Sequence, residues 1–270
     1  MSAQNPFQYE PTHEVLNQVK PLEDYNLFSS DAILTDAFER EGEAWAKDSV
    51  TQFGARVGSK EVYDWGFKAN EHLPILKTHD TLGNRLDLVE FNPAWHQLMS
   101  LSIAQGNHSL PWSEPRKSAY VARTAAYFMM CQIEAGHCCP VTMTTACLPV
   151  ISMQPEVAND WKDKILSAKY DPRLLPMQEK QGVTCGMAMT EKQGGSDVRA
   201  NTTIAKAMGK AGPGQEYLLS GHKWFCSAPM SDAFLVLAQT DKGLSCYFMP
   251  RFLPDGTKNN IFIQRLSRYI

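Results

Sequence analysis

The pattern of the sequence changes near Asp171-Pro172, and this change constrains the fold more than any other feature. Before it, apolar residues recur at helical spacing between proline and glycine stops. After it, short β-type runs alternate with turns rich in glycine, proline and aspartate. Helices first and strands second favour an α+β protein over alternating βαβ units. We therefore predict an N-terminal all-α domain over residues 1–183, followed by an antiparallel β-barrel or sandwich domain over residues 184–270.

Capping residues, prolines and glycines predict where the first helices begin and end. A helix that opens at Ser30-Asp31 would place Leu34, Phe38 and Trp45 at helical spacing. Asn92-Pro93 has the form of a cap followed by proline at the first helical position, and Gly106 is the matching stop.

Prolines and one glycine also delimit the later helices. Pro115 and Gly136 bracket a long helix, and its candidates for a buried face are Ala119, Tyr120, Ala125, Ala126, Phe128 and Met129. Pro140 and Pro155 are expected to start two more helices. Pro149 is expected to break or kink the first of these two.

Six runs in the second part have the composition of β-strands. They cover residues 184–190, 201–207, 217–226, 234–239, 244–251 and 261–266. The last run stands four residues from the end of the sequence, with no closing turn or helix after it. Either this is a legitimate terminal strand, or the sheet is cut before its last members.

Composition excludes several classes of function. With 43% hydrophobic residues and a net charge of -3, the chain is expected to fold, and it lacks the cationic surplus of a nucleic-acid binder. No apolar run approaches the roughly 20 residues of a membrane-spanning helix, and the start does not resemble a secretory signal. Seven cysteines without a CxxC pair predict reduced thiols in a cytoplasmic protein. Zinc at Cys131, His137, Cys138 and Cys139 is the alternative, although adjacent cysteines do not suit a tetrahedral site.

Common nucleotide and catalytic motifs are missing from the sequence. Tyr217 stands where a third glycine would follow Gly212 and Gly214, so a Rossmann dinucleotide site is not supported. The chain has no Walker loop, no HExxH and no G-x-S-x-G elbow. Spacing alone does not identify a Ser/His/Asp constellation.

One tract, residues 186–198, has the features of a cofactor site. An apolar strand runs into Thr190, and a polar loop with Gly194 and Gly195 then leads to Ser196-Asp197. The glycines would let the backbone approach a ligand closely, while Ser196 could donate to a phosphate oxygen. The alternative is a polar hairpin loop in which Asp197 caps a turn.

A second tract, residues 220–227, reads Ser-Gly-His-Lys-Trp-Phe-Cys-Ser. Trp224 on a strand, beside a thiol, could cover an aromatic cofactor ring. The alternative is a tryptophan of the hydrophobic core.

Together the two tracts resemble the acyl-CoA dehydrogenase superfamily. Its signature is an apolar strand, Thr-Glu, a short loop and Gly-Ser-Asp, followed about thirty residues later by Lys-Trp. Glu191-Lys192-Gln193-Gly194-Gly195-Ser196-Asp197 and Gly221-His222-Lys223-Trp224-Phe225 look like the AidB, or alkylation-response, branch. Phe-Asn-Pro-Ala-Trp-His at 91–96, Pro-Val-Thr-Met-Thr at 140–144 and the tracts 13–18 and 250–256 agree with that branch too.

The resemblance implies an FAD-dependent oxidoreductase acting on CH-CH donors. In this superfamily an N-terminal helical domain and a middle β-domain precede a C-terminal helical bundle, usually in a homo-oligomer. FAD lies between the β-domain and the bundle. The residues implied to contact FAD are Met187, Ala188, Met189, Thr190, Gly195, Ser196, Trp224, Phe225 and Cys226. The resemblance implies no metal.

Three departures qualify the expected activity. Cys226 stands where dehydrogenases usually have threonine, which offers a stronger side-chain donor to flavin N5. The catalytic base of the family is a glutamate of the C-terminal bundle, and we expect it beyond residue 270, so no catalytic residue is assigned here. The last residues, Ser267 to Ile270, drift from the branch pattern, and we interpret the chain as C-terminally truncated.

Two other hypotheses remain open at this point. The chain could be a non-catalytic module that acts through self-association or partner binding, because the bundle and the base are missing. It could also protect DNA directly, as the branch resemblance suggests. The second is the weaker of the two, since the basic region associated with DNA would also be absent and the net charge is negative.

Overall fold

The computed structural model describes residues 14–267. Residues 1–13 and 268–270 lie outside the described residues. The predictions for the outer ends of both domains, for His13 and for most of the divergent C-terminal tetrapeptide fall on them. Helices dominate the first part, and a five-stranded sheet forms the second. The predicted α+β class is confirmed.

The helices of the first part are bounded largely by the signals in the sequence. They are α1 (Ala32–Glu41), α2 (Ala44–Val57), α3 (Lys60–Glu71), α4 (Pro93–Ala104), α5 (Leu110–Ser113), α6 (Ala119–Ile133), α7 (Cys138–Ser152) and α8 (Pro155–Leu166). The Asp31 carboxylate accepts from Leu34 N at 2.9 Å, and the Asn92 side chain accepts from Ala94 N at 2.9 Å. Both predicted caps therefore satisfy amide groups that would otherwise lack a partner in the first turn.

Three helical expectations differ from the structure. Trp45 belongs to α2, since the chain leaves the helical conformation at Gly42 and begins a second helix at Ala44. Tyr120 and Phe128 are 58% and 47% exposed, so their prediction as buried residues is wrong. The core face of α6 consists of smaller side chains and methionines: Ala119, Ala122, Ala125, Ala126, Met129 and Met130. Pro149 lies inside α7, which continues to Ser152, so the predicted break is wrong and the predicted kink stays a prediction.

A β-hairpin interrupts the helical part, which is therefore not all-α. Strand β1 (Ile75–His79) pairs antiparallel with β2 (Arg85–Glu90). The Asp80 carboxylate accepts from Leu82 N and Asn84 N, each at 2.8 Å, and closes the turn between them. Alternating residues around Gly83-Asn84 were the available signal, but the helical pattern on either side obscured it.

The second part is a mixed sheet rather than an antiparallel one. Its strands are β3 (Cys185–Ala188), β4 (Ile204–Ala207), β5 (Tyr217–Ser220), β6 (Ala233–Thr240) and β7 (Gly243–Pro250). Strand β6 pairs in parallel with β3 and β4 and antiparallel with β7, while β4 and β5 are antiparallel. Among the described residues these pairings do not close into a barrel.

The run 261–266, predicted as a strand, is irregular. It crosses the hairpin of the first part instead of joining the sheet. Ile263 N donates to Asp87 Oδ1 at 2.9 Å, and Ile263 O accepts from Arg85 Nη2 at 2.9 Å. The prediction is wrong because these side-chain partners satisfy the backbone that a neighbouring strand would otherwise pair with.

Helix α7 connects the helical part to the sheet. Cys147, Leu148 and Ile151 of α7 form one buried cluster with residues of β3 and β6. Thr144 Oγ1 also accepts from Cys185 N at 3.0 Å, at the start of β3. The strand that leads into the candidate site is therefore held by a helix of the other part. In residues 14–267, no helix combines the length and apolarity that crossing a bilayer requires.

His108, between α4 and α5, is buried without a partner for its second ring nitrogen among the described residues. Its Nε2 lies 3.1 Å from Ser167 O, and a carbonyl can only accept, so Nε2 carries the hydrogen. Nδ1 is buried and has no hydrogen bond. Burial lowers the pKa of His108 from 6.5 to about 4.

This predicts that acid destabilises the fold through His108. As pH falls from 6.5 to about 4, the unfolded chain binds a proton that the folded chain does not. The free energy of unfolding should drop by about 3 kcal/mol across that window because of this group, and its contribution should be constant at lower pH. Urea unfolding at a series of pH values measures the drop, which His108→Gln should reduce. His79→Gln, an exposed control, should leave it unchanged, and an identical drop in His108→Gln would contradict the assignment.

Candidate functional site

The two tracts singled out in the sequence meet directly after β3. The chain leaves the sheet at Met189 and Thr190, and Trp224 N donates a hydrogen bond to Thr190 O at 2.9 Å. Residues 34 positions apart are thereby fixed side by side, although spacing alone gave no reason for the contact.

The glycine loop folds back onto Thr190. Gly194 N donates to Glu191 O at 3.0 Å and closes a tight turn, for which Gly194 adopts a φ of +141°. A side chain added at Gly195 would lie 3.0 Å from Thr190 Oγ1, so only glycine fits without displacing the threonine. Ser196 follows on the exposed part of the loop.

The strand residues predicted for the site also belong to the core. Met187 and Met189 are half-buried against the cluster that contains Cys147 and Leu148. Ala188 is buried on the opposite side with Phe234 and Val236, and Cys226 packs against that second cluster. The structure thus places Ala188 and Cys226 in the same apolar cluster.

Trp224 is not a core tryptophan. It is 37% exposed, and Phe225 is 64% exposed. Two cations lie near the indole ring: Lys192 Nζ is 5.7 Å and the Arg265 guanidinium 4.8 Å from its centroid. The exposed aromatic surface beside Thr190 therefore has positive charge around it.

Glu191 was quoted as part of a sequence motif but was not assigned a role in the site. It is only 1% exposed and accepts six hydrogen bonds from described residues, three on each oxygen. The donors are the backbone and hydroxyl groups of Thr202 and Thr203, Gln193 Nε2 and Lys223 Nζ. Burial alone would raise the pKa of Glu191, but hydrogen bonds from Thr202 and Thr203 outweigh it and hold this pKa well below its usual range.

A serine, a histidine and a glutamate come together in the helical part, which spacing had not indicated. Ser102 Oγ lies 2.9 Å from His137 Nε2, and His137 Nδ1 lies 2.9 Å from Glu134 Oε2. Ser102 and His137 are at most 1% exposed, and Glu134 is 8% exposed. A hydrolytic triad needs an accessible serine, so this network is better explained as a structural link between α4 and the turn before α7.

The thiols considered for zinc lie near this network. Cys131 Sγ is 3.5 Å from Cys138 Sγ, which is 3.7 Å from His137 Nε2. Within residues 14–267, no three His, Cys, Asp or Glu side chains are grouped so that they could hold a metal ion.

Comparison with known families defines the class of protein. Residues 17–172 match the model described as Adaptive response protein AidB N-terminal domain. Residues 186–267 match the middle domain of acyl-CoA dehydrogenases. The chain therefore belongs to the AidB-type branch of the acyl-CoA dehydrogenase superfamily.

Individual relatives agree with this family. Over 258 residues the chain is 48% identical to the putative acyl-CoA dehydrogenase AidB of Escherichia coli (strain K12), covering 95% of this chain and 47% of that protein. Its fold is similar to that of Caenorhabditis elegans ACDH-11 in complex with C11-CoA, with a TM-score of 0.78, 23% identity and coverage of 99% and 46%. The apo-form of Bd2924 is similar too, with a TM-score of 0.77, 24% identity and coverage of 92% and 50%. The chain spans about half the length of these proteins.

Gly221 is expected to be intolerant of any side chain. Its φ is +157°, and an added Cβ would lie 2.4 Å from Thr203 Oγ1, a donor to Glu191. Gly212 has a similar φ of +140° but nothing within 4 Å of the added atom.

Gly221→Ala should therefore lower the free energy of unfolding by about 2–4 kcal/mol, and Gly212→Ala by about 1 kcal/mol. Denaturant unfolding of the two variants measures both losses. Because both substitutions carry the backbone cost, the difference between them reports the contact with Thr203. Equal losses would show that this contact is absent.

Proposed function

We propose that this chain is the FAD-binding part of an acyl-CoA dehydrogenase-like flavoprotein, and that the Thr190 and Trp224 tracts form one wall of the flavin site. The observation that carries the proposal is the hydrogen bond from Trp224 N to Thr190 O. It joins the two tracts that the resemblance assigns to the cofactor, and it fixes Thr190 next to the residue that carries the exposed indole.

The residues present fit the chemistry of FAD. Thr190 supplies a hydroxyl for the polar edge of the isoalloxazine, and Trp224 supplies an aromatic surface for its ring. The glycine loop leaves room for a close approach, and Ser196 can donate to a phosphate oxygen.

Cys226 is expected to modify rather than prevent flavin binding. Burial raises the pKa of its thiol to about 11, so the side chain stays neutral at physiological pH. A thiol is a weaker donor than the threonine hydroxyl usual at this position, whereas the backbone amide is kept. We therefore expect altered redox tuning of a bound flavin.

The reaction we propose is α,β-dehydrogenation of an acyl thioester. FAD, when bound, would supply the hydride acceptor for this oxidation. The α-proton requires a base, and Glu191 cannot serve because its oxygens are fully occupied and its pKa is held low. An acyl thioester substrate is supported by the C11-CoA complex of the similar worm protein.

We extend the proposal to the assembly and location of the protein. Exposed Ile204 and Leu218 on β4 and β5 favour burial against a further domain or a second copy, in keeping with a homo-oligomer. The seven free cysteines favour the cytoplasm.

The proposal predicts that Trp224→Ala weakens FAD binding about tenfold, because stacking on the indole contributes about 1.4 kcal/mol. Titration of FAD with the protein, followed by the quenching of flavin fluorescence, measures the affinity. Phe67→Ala removes a 65% exposed aromatic of α3 and should leave the affinity unchanged. Equal affinity in the wild type and Trp224→Ala would place the flavin elsewhere.

The non-catalytic module remains the second candidate, favoured by the exposed Ile204 and Leu218. It predicts no FAD binding by the wild-type chain together with concentration-dependent self-association. The FAD titration of the same preparation separates the two functions, because self-association is expected of both.

A further inference from the structure

Three irregular segments converge on Glu191, and two of them carry the wall of the proposed flavin site. Glu191 directly follows Thr190, and Lys223, which donates to Glu191 Oε1 at 3.0 Å, directly precedes Trp224. The third segment is Thr202-Thr203, which enters β4. A shift of this carboxylate would therefore move both ends of the wall.

The hydrogen bonds of Glu191 leave it little freedom. Oε1 accepts from Thr203 N at 2.9 Å, Thr203 Oγ1 at 2.6 Å and Lys223 Nζ at 3.0 Å. Oε2 accepts from Thr202 N at 2.7 Å, Thr202 Oγ1 at 2.9 Å and Gln193 Nε2 at 2.7 Å. A carboxylate offers about four lone-pair sites, so six donors saturate it. An amide cannot replace it, since its nitrogen would face three donors on one side.

The pair Glu191–Lys223 is nearly shielded from water. The Lys223 side chain is 10% exposed and that of Glu191 is 1% exposed. Removing one partner would leave a buried charge uncompensated, so the pair resists separation. Lys223 Nζ and Asn201 Nδ2 also approach Met189 O, at 3.5 and 2.8 Å, on the other side of Thr190.

We infer that Glu191 is a positioning residue that sets the spacing between Thr190 and Trp224 and thereby shapes the flavin wall. The inference rests on the proposed function and deepens it. Glu191 touches no reacting atom in this role. It acts through Lys223, which directly precedes Trp224, while Thr202 and Thr203 anchor its carboxylate.

The test combines two measurements on the full chain. Hydrogen exchange of the Trp224 amide reports the spacing without FAD, and FAD titration reports its consequence. In Glu191→Gln the exchange should accelerate at least tenfold, the dissociation constant for FAD should rise at least tenfold, and the visible absorption band of bound FAD should shift. Glu134→Gln, a buried carboxylate of the helical part, controls for general destabilisation and should keep both values within twofold.

Variants of the partner keep the inference testable if Glu191→Gln folds poorly. Lys223→Met should weaken FAD binding, and Lys223→Arg, which retains the ion pair, should restore it. The double variant Glu191→Gln/Lys223→Met should bind FAD no more weakly than Glu191→Gln. The reason is that the two substitutions remove the same interaction, the ion pair between Glu191 and Lys223.

The failure of this inference is distinct from that of the proposed function. Wild-type protein that does not bind FAD would overturn the proposed function. Unchanged protection of the Trp224 amide in Glu191→Gln and Lys223→Met would overturn the positioning role, even if FAD binds. Equal losses of FAD affinity in Glu191→Gln and Glu134→Gln would also overturn it, because they would reflect stability alone.

Discussion

The structure depends on one constraint: a carboxylate removed from water must have every oxygen satisfied. Asp87, Glu191 and Asp232 are at most 8% exposed, and each accepts from a lysine and from at least one backbone amide. In each case the lysine is far from the carboxylate in sequence. Asp87 ties the irregular end of the described chain to the hairpin, and Asp232 ties Lys180 and Thr184 to the start of β6. These three groups hold loops that strand pairing and helix packing leave unsupported.

Loops held by buried carboxylates and elements held by apolar packing meet at the proposed site. Helix α7 and strand β6 provide a rigid, apolar support for β3 through the shared cluster around Cys147 and Leu235. The residues proposed to face the flavin stand just beyond that support, where the backbone has no regular partner. The position of such irregular backbone has to be fixed by buried polar groups, and here Glu191 is the group that fixes it. A site built this way keeps an exposed aromatic surface without losing its geometry.

Local signals predicted much of the fold because they act over a few residues. Asp31 and Asn92 cap helices through contacts three and two residues away, and five of the six strand-like runs contain strands. Two of the wrong predictions depended on how separate segments pack. The run 261–266 is satisfied by Arg85 and Asp87 rather than by a neighbouring strand, and Tyr120 and Phe128 face outward because small residues form the contact face of α6.

By itself the sequence determined the α+β class, the helix caps, the family resemblance and the residue types suited to a flavin. Those features depend on composition, short-range spacing and motif order, all of which are visible along the chain. Only the tertiary structure decided that Thr190 and Trp224 are hydrogen-bonded, that Glu191 collects six donors, and that Ser102, His137 and Glu134 meet in the interior. The physical reason is that each of these contacts depends on how separate segments pack, and packing is a property of the whole chain.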